Sequence, residues 1–244
     1  MKSSTGLRLA TTVSTLAERT WEAFTLAGPR YYRHDERWGC DLDILRSAEI
    51  PPKPRILELG AGVGLILRIC AYLFPDYRKI VGVDYCELLC RQAEKELRPF
   101  PNVRIVNQEL EAFLPKARSA SADVVLLLNN TLGNCWSSGT LGDFHHAILT
   151  GIGRVLSPNG LALVSVYSSE GVGLGRYGNA LELVEDIGDG SFIGRVHRGR
   201  RSETFFCHLF DREELPTLAC GAGLEVRAAV ERSRRLIYIL GHAR

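Results

Sequence analysis

The chain has 244 residues and a formal net charge of +2, with 45% apolar and 24% charged residues. This size and balance are typical of a soluble globular protein with one sizeable core. So small a net charge gives no general reason to expect a nucleic-acid partner. No apolar run reaches the roughly 18 residues that a membrane-spanning helix needs, so we expect no membrane partner.

The seven cysteines are scattered along the chain, with no CxxC pair. Such scatter argues against a disulfide framework or a zinc site and favours a reducing cytoplasm. Residues 1–20 hold many Ser and Thr but no continuous apolar stretch, which argues against a secretory signal. Glu18 and the missing arginine run weaken the remaining alternative, an organelle transit peptide. We therefore expect a cytoplasmic protein without a metal.

An N-terminal segment, residues 1–54, precedes the regular part of the chain. Apolar spacing predicts a helix over 13–26 and a shorter helix over 41–48. An aromatic and charged stretch, 31–38, lies between them. Three prolines then close the segment, because proline interrupts regular structure.

From residue 55 onward, strand and helix patterns alternate. Strands are predicted at 55–59, 79–84, 103–107, 123–128 and 161–167, and helices at 64–74, 87–97, near 111–113 and at 140–156. The Val- and Leu-rich strands near 81 and 124 suit a parallel sheet that is buried on both faces. Strict alternation of strand and helix predicts an α/β doubly wound sheet with helices on both faces.

The last third of the chain follows a different pattern. It begins with an insertion at about 169–205, glycine-rich at first and then with two predicted strands, 192–196 and 204–210, around a basic tip. A helix is predicted from Asp211 to Cys220, with Asp211 as its cap. Two adjacent strands, 224–230 and 235–240, have only a short connection and must be antiparallel. We therefore predict a mostly parallel seven-stranded sheet that ends in an antiparallel hairpin.

The most informative pattern is the sequence ILELGAGVG at 56–64, followed by VGVD at 81–84. Glycines at 60, 62 and 64 let the backbone approach a ligand, and the following helix points its first amides at that ligand. Asp84 ends the second strand, where a carboxylate can accept both hydroxyls of a ribose. These features fit an NAD enzyme and a methyltransferase equally well.

Glu58 distinguishes these two classes. A carboxylate beside the glycine loop repels a pyrophosphate but attracts the ammonium and sulfonium groups of S-adenosylmethionine, which has no phosphate. The alternative is that Glu58 only accepts hydrogen bonds from helix or loop amides. Asp84 and the terminal hairpin agree with the first interpretation.

With these residues, the chain from 55 to its C terminus resembles the class I S-adenosylmethionine-dependent methyltransferases. The resemblance implies that the glycine loop wraps the methionine moiety, that Asp84 binds the ribose and that Tyr85 lies beside the adenine. Glu109 stands where the family usually has Asp near the adenine amine, and Gln108 is an alternative for that role. The cofactor-binding residues implied are Glu58, Gly60, Ala61, Gly62, Gly64, Asp84, Tyr85, Gln108, Glu109 and Asn129.

The resemblance also places the loop 129–134 near the transferred methyl group. Asn130 and Asn134 are candidates for contact with the acceptor, although Asn and Gly also occur in ordinary turns. His145 is a candidate proton acceptor because a histidine pKa lies near neutrality, with ordinary packing as the alternative. Tyr32 is a candidate from the N-terminal segment, which in the family often forms a lid over the site.

We therefore expect an enzyme that transfers a methyl group to an N or O atom of a small molecule by in-line displacement. An RNA or protein methyltransferase, docking through the basic residues 195–201 and 232–235, is one alternative. An NAD-dependent oxidoreductase and a non-catalytic binding module are two others. The loop 129–134 lacks the prolines of base-methylating enzymes, which argues against a nucleic-acid partner. A homodimer is compatible with the pattern.

Overall fold

The computed structural model describes residues 44–45, 48–136, 140–170, 181–198, 200–232 and 234–243. The helix predicted over 13–26 lies outside these ranges, and only 44, 45 and 48 of the second predicted helix lie within them. None of the helices in the described ranges is long and apolar enough to cross a membrane. In the same ranges, no group of His, Cys, Asp and Glu side chains is arranged to hold a metal ion.

The described strands are numbered along the chain. They are β1 (Arg55–Leu59), β2 (Lys79–Asp84), β3 (Val103–Asn107), β4 (Ala122–Leu127), β5 (Leu156–Tyr167), β6 (Leu181–Gly188), β7 (Ser191–Arg198), β8 (Arg201–His208), β9 (Leu224–Arg232) and β10 (Arg235–His242). The helices are α1 (Leu65–Leu73), α2 (Glu87–Leu97), α3 (Leu110–Phe113), α4 (Thr131–Asn134), α5 (Leu141–Val155) and α6 (Glu214–Gly221). A short 3₁₀ turn, Leu114–Lys116, continues α3.

The main sheet has seven strands in the order β3-β2-β1-β4-β5-β10-β9. Strands β1 to β5 pair in parallel, and β10 runs antiparallel to both β5 and β9. This arrangement confirms the predicted fold class, including the C-terminal hairpin. The strand order reverses between β1 and β4, and ligands of open α/β sheets bind at the carboxyl ends of the strands at such a point.

Helices cover both faces of the main sheet. Leu57 and Leu59 of β1 pack in the cluster that contains residues of α5 and α6, whereas Ile56 packs with α1 and α2. Successive side chains of a strand point to opposite faces, so these clusters mark two sides of the sheet. We call them the α5 face and the α1 face.

A second, three-stranded antiparallel sheet occupies the insertion, in the order β6-β7-β8. The sequence predicted β7 and β8 but not β6. Leu183 and Val184 of β6 are 40% and 41% exposed, and register shifts interrupt its pairing with β7. The alternation that marks a half-buried strand is therefore weak in β6.

Strand β5 begins earlier than predicted. The sequence predicts a turn at 157–160, but β5 starts at Leu156, which pairs with Ala122 of β4. The next pair is Leu161 with Val124, so the register shifts across the four residues between. Ser, Pro, Asn and Gly are the residue types of a turn, which is why the sequence predicted the start of β5 only after them.

Candidate cofactor and acceptor site

The glycine loop connects β1 to α1 and folds over the end of β2. The amides of Gly60 and Ala61 both donate to the Val83 carbonyl oxygen, at 2.8 and 3.0 Å. Gly60 has a φ of 77° and Gly62 a φ of 52°, in the left-handed region that side chains disfavour. Gly64 precedes α1 as its N-cap. The predicted residues Gly60, Ala61, Gly62 and Gly64 therefore form one turn at the carboxyl end of the sheet.

Gly60 and Gly62 differ in their surroundings. A Cβ atom on Gly60 would lie 2.5 Å from Thr131 Cγ2, so the glycine loop touches the loop that follows β4. A Cβ atom on Gly62 would meet nothing within 4 Å. The backbone at Gly62 thus borders open space, as close approach of a ligand requires.

Asp84 is buried under the glycine loop. Its Oδ2 accepts a hydrogen bond from the Gly62 amide at 2.7 Å, and its Oδ1 accepts one from the Cys86 amide at 2.9 Å. Burial raises the pKa of Asp84, and the backbone hydrogen bonds oppose that rise. Each carboxylate oxygen has two lone pairs, so Asp84 keeps capacity for ribose hydroxyls while it holds these amides.

Glu58 lies on β1 and is only 3% exposed. The Leu67 backbone amide donates to its carboxyl group, but Oε2 has no hydrogen-bond partner among the described residues. Burial, and secondly the charge of Asp84, raise the pKa of Glu58 well above its usual range. One carboxyl oxygen of Glu58 thus accepts a hydrogen bond from a helix amide, which is the alternative role that the sequence left open. The other is a buried, unsatisfied acceptor that a nearby cation would stabilise.

The residues predicted near the adenine surround the end of β3. The Gln108 amide donates to the Asp84 carbonyl oxygen at 3.0 Å, and the exposed Glu109 immediately precedes α3. Asn107 Nδ2 donates to the carbonyl oxygens of Tyr85 at 2.7 Å and Asp84 at 3.1 Å. Sequence reasoning missed Asn107, although a polar residue that ends a strand is the signal that could have revealed it.

The loop after β4 begins with two left-handed residues. Asn129 and Asn130 have φ values of 57° and 60°, a conformation that Asn tolerates better than most residues. The Asn129 amide donates to Ser165 Oγ at 2.8 Å, and Asn129 Oδ1 accepts from Arg235 Nη1 at 3.3 Å. The loop is therefore tied to β5 and β10.

Asn130 is fully buried and bonded to protein groups on both sides. Its Oδ1 accepts from the Tyr167 amide at 2.9 Å, and its Nδ2 donates to the His208 carbonyl oxygen at 3.1 Å. Asn134 is 8% exposed and its Oδ1 lies 3.4 Å from Asn130 Nδ2. These contacts make Asn130 a residue that positions the loop, and contact with the acceptor stays a prediction for both.

His145 lies inside the protein, with 0% exposure. Its Nε2 donates to the Leu132 carbonyl oxygen at 3.1 Å, and its ring packs 5.2 Å from that of Phe210. Burial, and secondly His208, lower the pKa of His145 to about 3. A neutral, enclosed imidazole matches the packing alternative, and a proton-acceptor role for His145 stays a prediction.

His208, which the sequence did not single out, joins the second sheet to the main domain. Its Nδ1 hydrogen bonds with Ser191 Oγ at 2.8 Å, and its Nε2 with Glu214 Oε1 at 2.7 Å. Its carbonyl oxygen accepts from Asn130. No local motif predicts this network, because its members come from β7, β8, α6 and the loop after β4.

The fourth predicted catalytic residue, Tyr32, lies outside the described residues. Part of the basic hairpin tip is paired: Glu182 Oε2 lies 3.2 Å from Arg195 Nη1 and 2.9 Å from His197 Nε2. Arg235 is only 4% exposed and is no part of a surface patch.

Comparison with known proteins agrees with this geometry. Residues 56–160 match the sequence profile of a methyltransferase domain. A curated relative, malonyl-[acyl-carrier protein] O-methyltransferase of Halalkalibacterium halodurans, is 28% identical over 125 residues. That alignment covers 51% of this chain and 43% of the relative, so the match spans less than half of the relative's length.

Two solved structures illustrate the likeness of fold. The CcbJ methyltransferase from Streptomyces caelestis is 21% identical, with a TM-score of 0.64 over 84% of this chain and 88% of that one. The 1,6-didemethyltoxoflavin-N1-methyltransferase of Burkholderia thailandensis, solved with 1,6-didemethyltoxoflavin and S-adenosylhomocysteine, is 18% identical. Its TM-score is 0.65, over 93% of this chain and 88% of that one.

Residues 56–160 thus match a methyltransferase domain, and the fold of the described chain is that of solved methyltransferases, one of them with S-adenosylhomocysteine bound. The residues present fit S-adenosylmethionine, because a buried unsatisfied carboxyl, a second carboxyl and an open backbone stretch meet at the carboxyl edge.

Proposed function

We propose that this chain is an S-adenosylmethionine-dependent methyltransferase that methylates an N or O atom of a small molecule. The observation that carries the proposal is the pair of buried carboxyl groups, Glu58 and Asp84, at the glycine loop. Two carboxyls at one buried site repel a pyrophosphate and attract a cation. This charge favours a sulfonium cofactor over NAD.

The cofactor supplies a methyl group that is already activated, so the protein contributes mainly position and exclusion of water. In this proposal, Asp84 holds the ribose and Glu58 the positively charged end. The backbone at Gly62 allows close approach. A protein base is needed only where the acceptor arrives protonated, so the proposal does not depend on an exposed histidine among the described residues of the site.

The position of the second sheet next to the site supports a small molecule as the methyl acceptor. Strand β8 contacts the loop after β4 through the Asn130–His208 bond, which brings the insertion against the carboxyl edge. The related proteins named above include an N1-methyltransferase for 1,6-didemethyltoxoflavin and an O-methyltransferase for malonyl-[acyl-carrier protein]. The basic tip gives less support to RNA docking, since Glu182 offsets part of its charge.

Calorimetric titration with S-adenosylmethionine, S-adenosylhomocysteine and NAD tests the cofactor. We expect binding of the first two and none of NAD. Asp84→Asn is expected to weaken S-adenosylhomocysteine binding at least tenfold, roughly the value of a charge-assisted hydrogen bond. Asp76 is exposed, and Asp76→Asn serves as a control because it changes the net charge by the same amount. Tight NAD binding without S-adenosylhomocysteine binding would overturn the proposal.

The acceptor class is tested by transfer of an isotope-labelled methyl group to a panel of small amines, phenols and carboxylic acids, beside total RNA and denatured protein. We expect label in one small-molecule class. Label in RNA or protein alone, with none in the small molecules, would replace this part of the proposal with the macromolecular alternative.

The predicted division of the chain into an N-terminal lid, 1–54, and a domain from 55 to 244 stays part of the proposal. In it, Tyr32 of the N-terminal segment and the insertion at about 169–205 complete the acceptor pocket.

A further inference from the structure

A second concave site lies on the α5 face of the sheet and reaches as far as Gln108 at the end of β3, without including a residue of the glycine loop. It has a volume of about 730 Å³ and lies over the starting residues of β1, β2 and β4. Its floor is apolar, with Leu57, Val81 and Phe113. The connection between β3 and β4 forms only the short α3 and one 3₁₀ turn, and Phe113, Lys116 and Ala117 of this connection line one side of the groove.

The rim of this groove is strongly basic. Six of its lining side chains are cationic and none is acidic: Arg55, Arg78, Lys79, Arg104, Lys116 and Arg118. Arg55 forms an ion pair with Asp123 at 2.7 Å. The other five form no ion pair with any residue in the described part of the chain. A chain with a net charge of only +2 thus concentrates unbalanced positive charge at one cavity.

The shape and the charge together define the ligand. Cavities of several hundred Å³ hold small molecules, whereas a macromolecular partner usually needs a much larger surface. Several cations around one rim match a chain of phosphates, and an apolar floor matches the flat body of a base. We propose that this basic groove binds an organic polyphosphate of the nucleoside triphosphate type.

The first described residues of the N-terminal segment, Ile44 and Leu45, lie on the other side of the sheet. Ile44 and Leu45 pack in the cluster on the α1 face, whereas Leu57 and Val81 belong to the α5 face. The proposal therefore takes a free ligand as the occupant of the groove.

Calorimetry with guanosine triphosphate tests the proposal on the full chain, with S-adenosylhomocysteine present in excess to fill the cofactor site. A groove variant carries Arg78→Gln, Arg104→Gln and Arg118→Gln. A control variant removes the same charge from exposed arginines elsewhere, by Arg98→Gln, Arg200→Gln and Arg232→Gln. We expect the groove variant to bind at least roughly tenfold more weakly than wild type, and the control within about twofold. Equal losses in both variants, or no binding by the wild type at millimolar ligand, would overturn the proposal.

Two further ligands separate the chemistry of the occupant. Inorganic tripolyphosphate should bind more weakly than guanosine triphosphate, because it has no group for the apolar floor. A single-stranded RNA of about 12 nucleotides should bind the groove variant and the control variant equally well. Equal binding of tripolyphosphate would overturn the role of the floor. A loss of RNA binding confined to the groove variant, with none for the triphosphate, would assign the groove to nucleic acid instead.

Acetylation of lysines, read by mass spectrometry, locates the ligand independently. Guanosine triphosphate should protect Lys79 and Lys116 but not Lys95, which is exposed on α2. Protection of all three, or of none, would contradict binding in the groove.

Discussion

At the scale of single residues, Glu58 shows how one side chain can oppose folding and favour binding. Its carboxyl group is buried, its Oε2 has no hydrogen-bond partner in the described ranges, and its pKa is raised. Such strain is common where a site is prepared for a charged ligand.

Replacing Glu58 with Gln should stabilise the cofactor-free chain and weaken cofactor binding. The raised pKa means that the folded state favours the protonated carboxyl. Stability from this group is therefore full below the normal glutamate pKa and is lost as pH rises through the raised value. We expect the free energy of unfolding of Glu58→Gln to be about 1 kcal/mol higher than that of the wild type at neutral pH. It should also vary less with pH, and urea titrations from pH 4 to 8 measure both effects.

The same substitution should reduce S-adenosylhomocysteine affinity roughly tenfold, since it removes a charge next to the ligand's ammonium. The wild type should release protons on binding, which calorimetry in buffers of different ionisation enthalpy detects, and Glu58→Gln should release fewer. An unchanged proton count would contradict a contact between Glu58 and the cation.

Two glycines of one loop should respond differently to alanine. A Cβ atom at Gly60 strains the backbone and collides with Thr131, whereas at Gly62 it strains the backbone only. We expect Gly60→Ala to lose about 3 kcal/mol of stability, and Gly62→Ala about 1 kcal/mol with a larger relative loss of cofactor binding. Thermal unfolding and calorimetry measure the two effects, and equal loss of stability would contradict the assigned surroundings.

The glycine loop and the two acids beside it, Glu58 and Asp84, could be predicted from the sequence, because each is a local signal at the end of a strand. The sequence was insufficient for His208, because its partners Ser191 and Glu214 lie on other elements, which no spacing rule reveals. Asn107 carries a local signal, as a polar residue that ends a strand, but its partners Asp84 and Tyr85 are 23 and 22 residues away.

At the scale of elements, the contact between β8 and α4 links the second sheet to the loop that follows β4. A Cβ atom on Gly133 would lie 2.4 Å from the His208 carbonyl oxygen, so the two backbones are nearly in contact. The side-chain Nδ2 of Asn130 donates to that same oxygen. The insertion is thus fitted to the loop by backbone packing as well as by the Ser191–His208–Glu214 network.

Gly133→Ala should push β8 away from α4 and so lower the catalytic rate more than it changes cofactor affinity. We expect a loss of stability of about 2 kcal/mol, from overpacking against backbone. The control Gly142→Ala lies on α5, where an added Cβ meets nothing within 4 Å, and should be neutral or slightly stabilising. A Gly133→Ala protein that resembles this control in rate and stability would contradict the packing.

Element boundaries were most predictable where apolar runs end abruptly. The predicted bounds of β2, α2 and β3 agree with the structure to the residue. Strand β6 was missed because it exposes Leu183 and Val184, and its partner β7 supplies the hydrogen bonds that make it a strand. Pairing of this kind is tertiary information that one strand's sequence does not contain.

At the scale of the whole molecule, the two ends of the parallel strands carry carboxyl groups of opposite character. At the carboxyl end, Glu58 and Asp84 have raised pKa values. At the amino end, Arg55 holds the pKa of Asp123 down to about 2. Asp123 accepts from the Arg55 backbone amide and guanidinium and from Ser157 Oγ, and so joins β1, β4 and β5.

Asp123→Asn should therefore destabilise the chain by about 2 kcal/mol at neutral pH. A lowered folded pKa gives stability that is present above the normal aspartate pKa and is lost as pH falls towards about 2. The difference between wild type and variant should shrink below about pH 4. Chemical denaturation at pH 7 and pH 3 measures it, with Asp76→Asn as the control. A difference that is the same at both pH values would contradict the linkage.

The position of β10 has a consequence for the order of events during synthesis. Strand β10 lies between β5 and β9, although β9 precedes it in the chain. As the chain leaves the ribosome, β9 emerges before the strand that links it to the described sheet. Until β10 follows, β5 presents an open, apolar edge, and such an edge is where a nascent chain aggregates or recruits a chaperone.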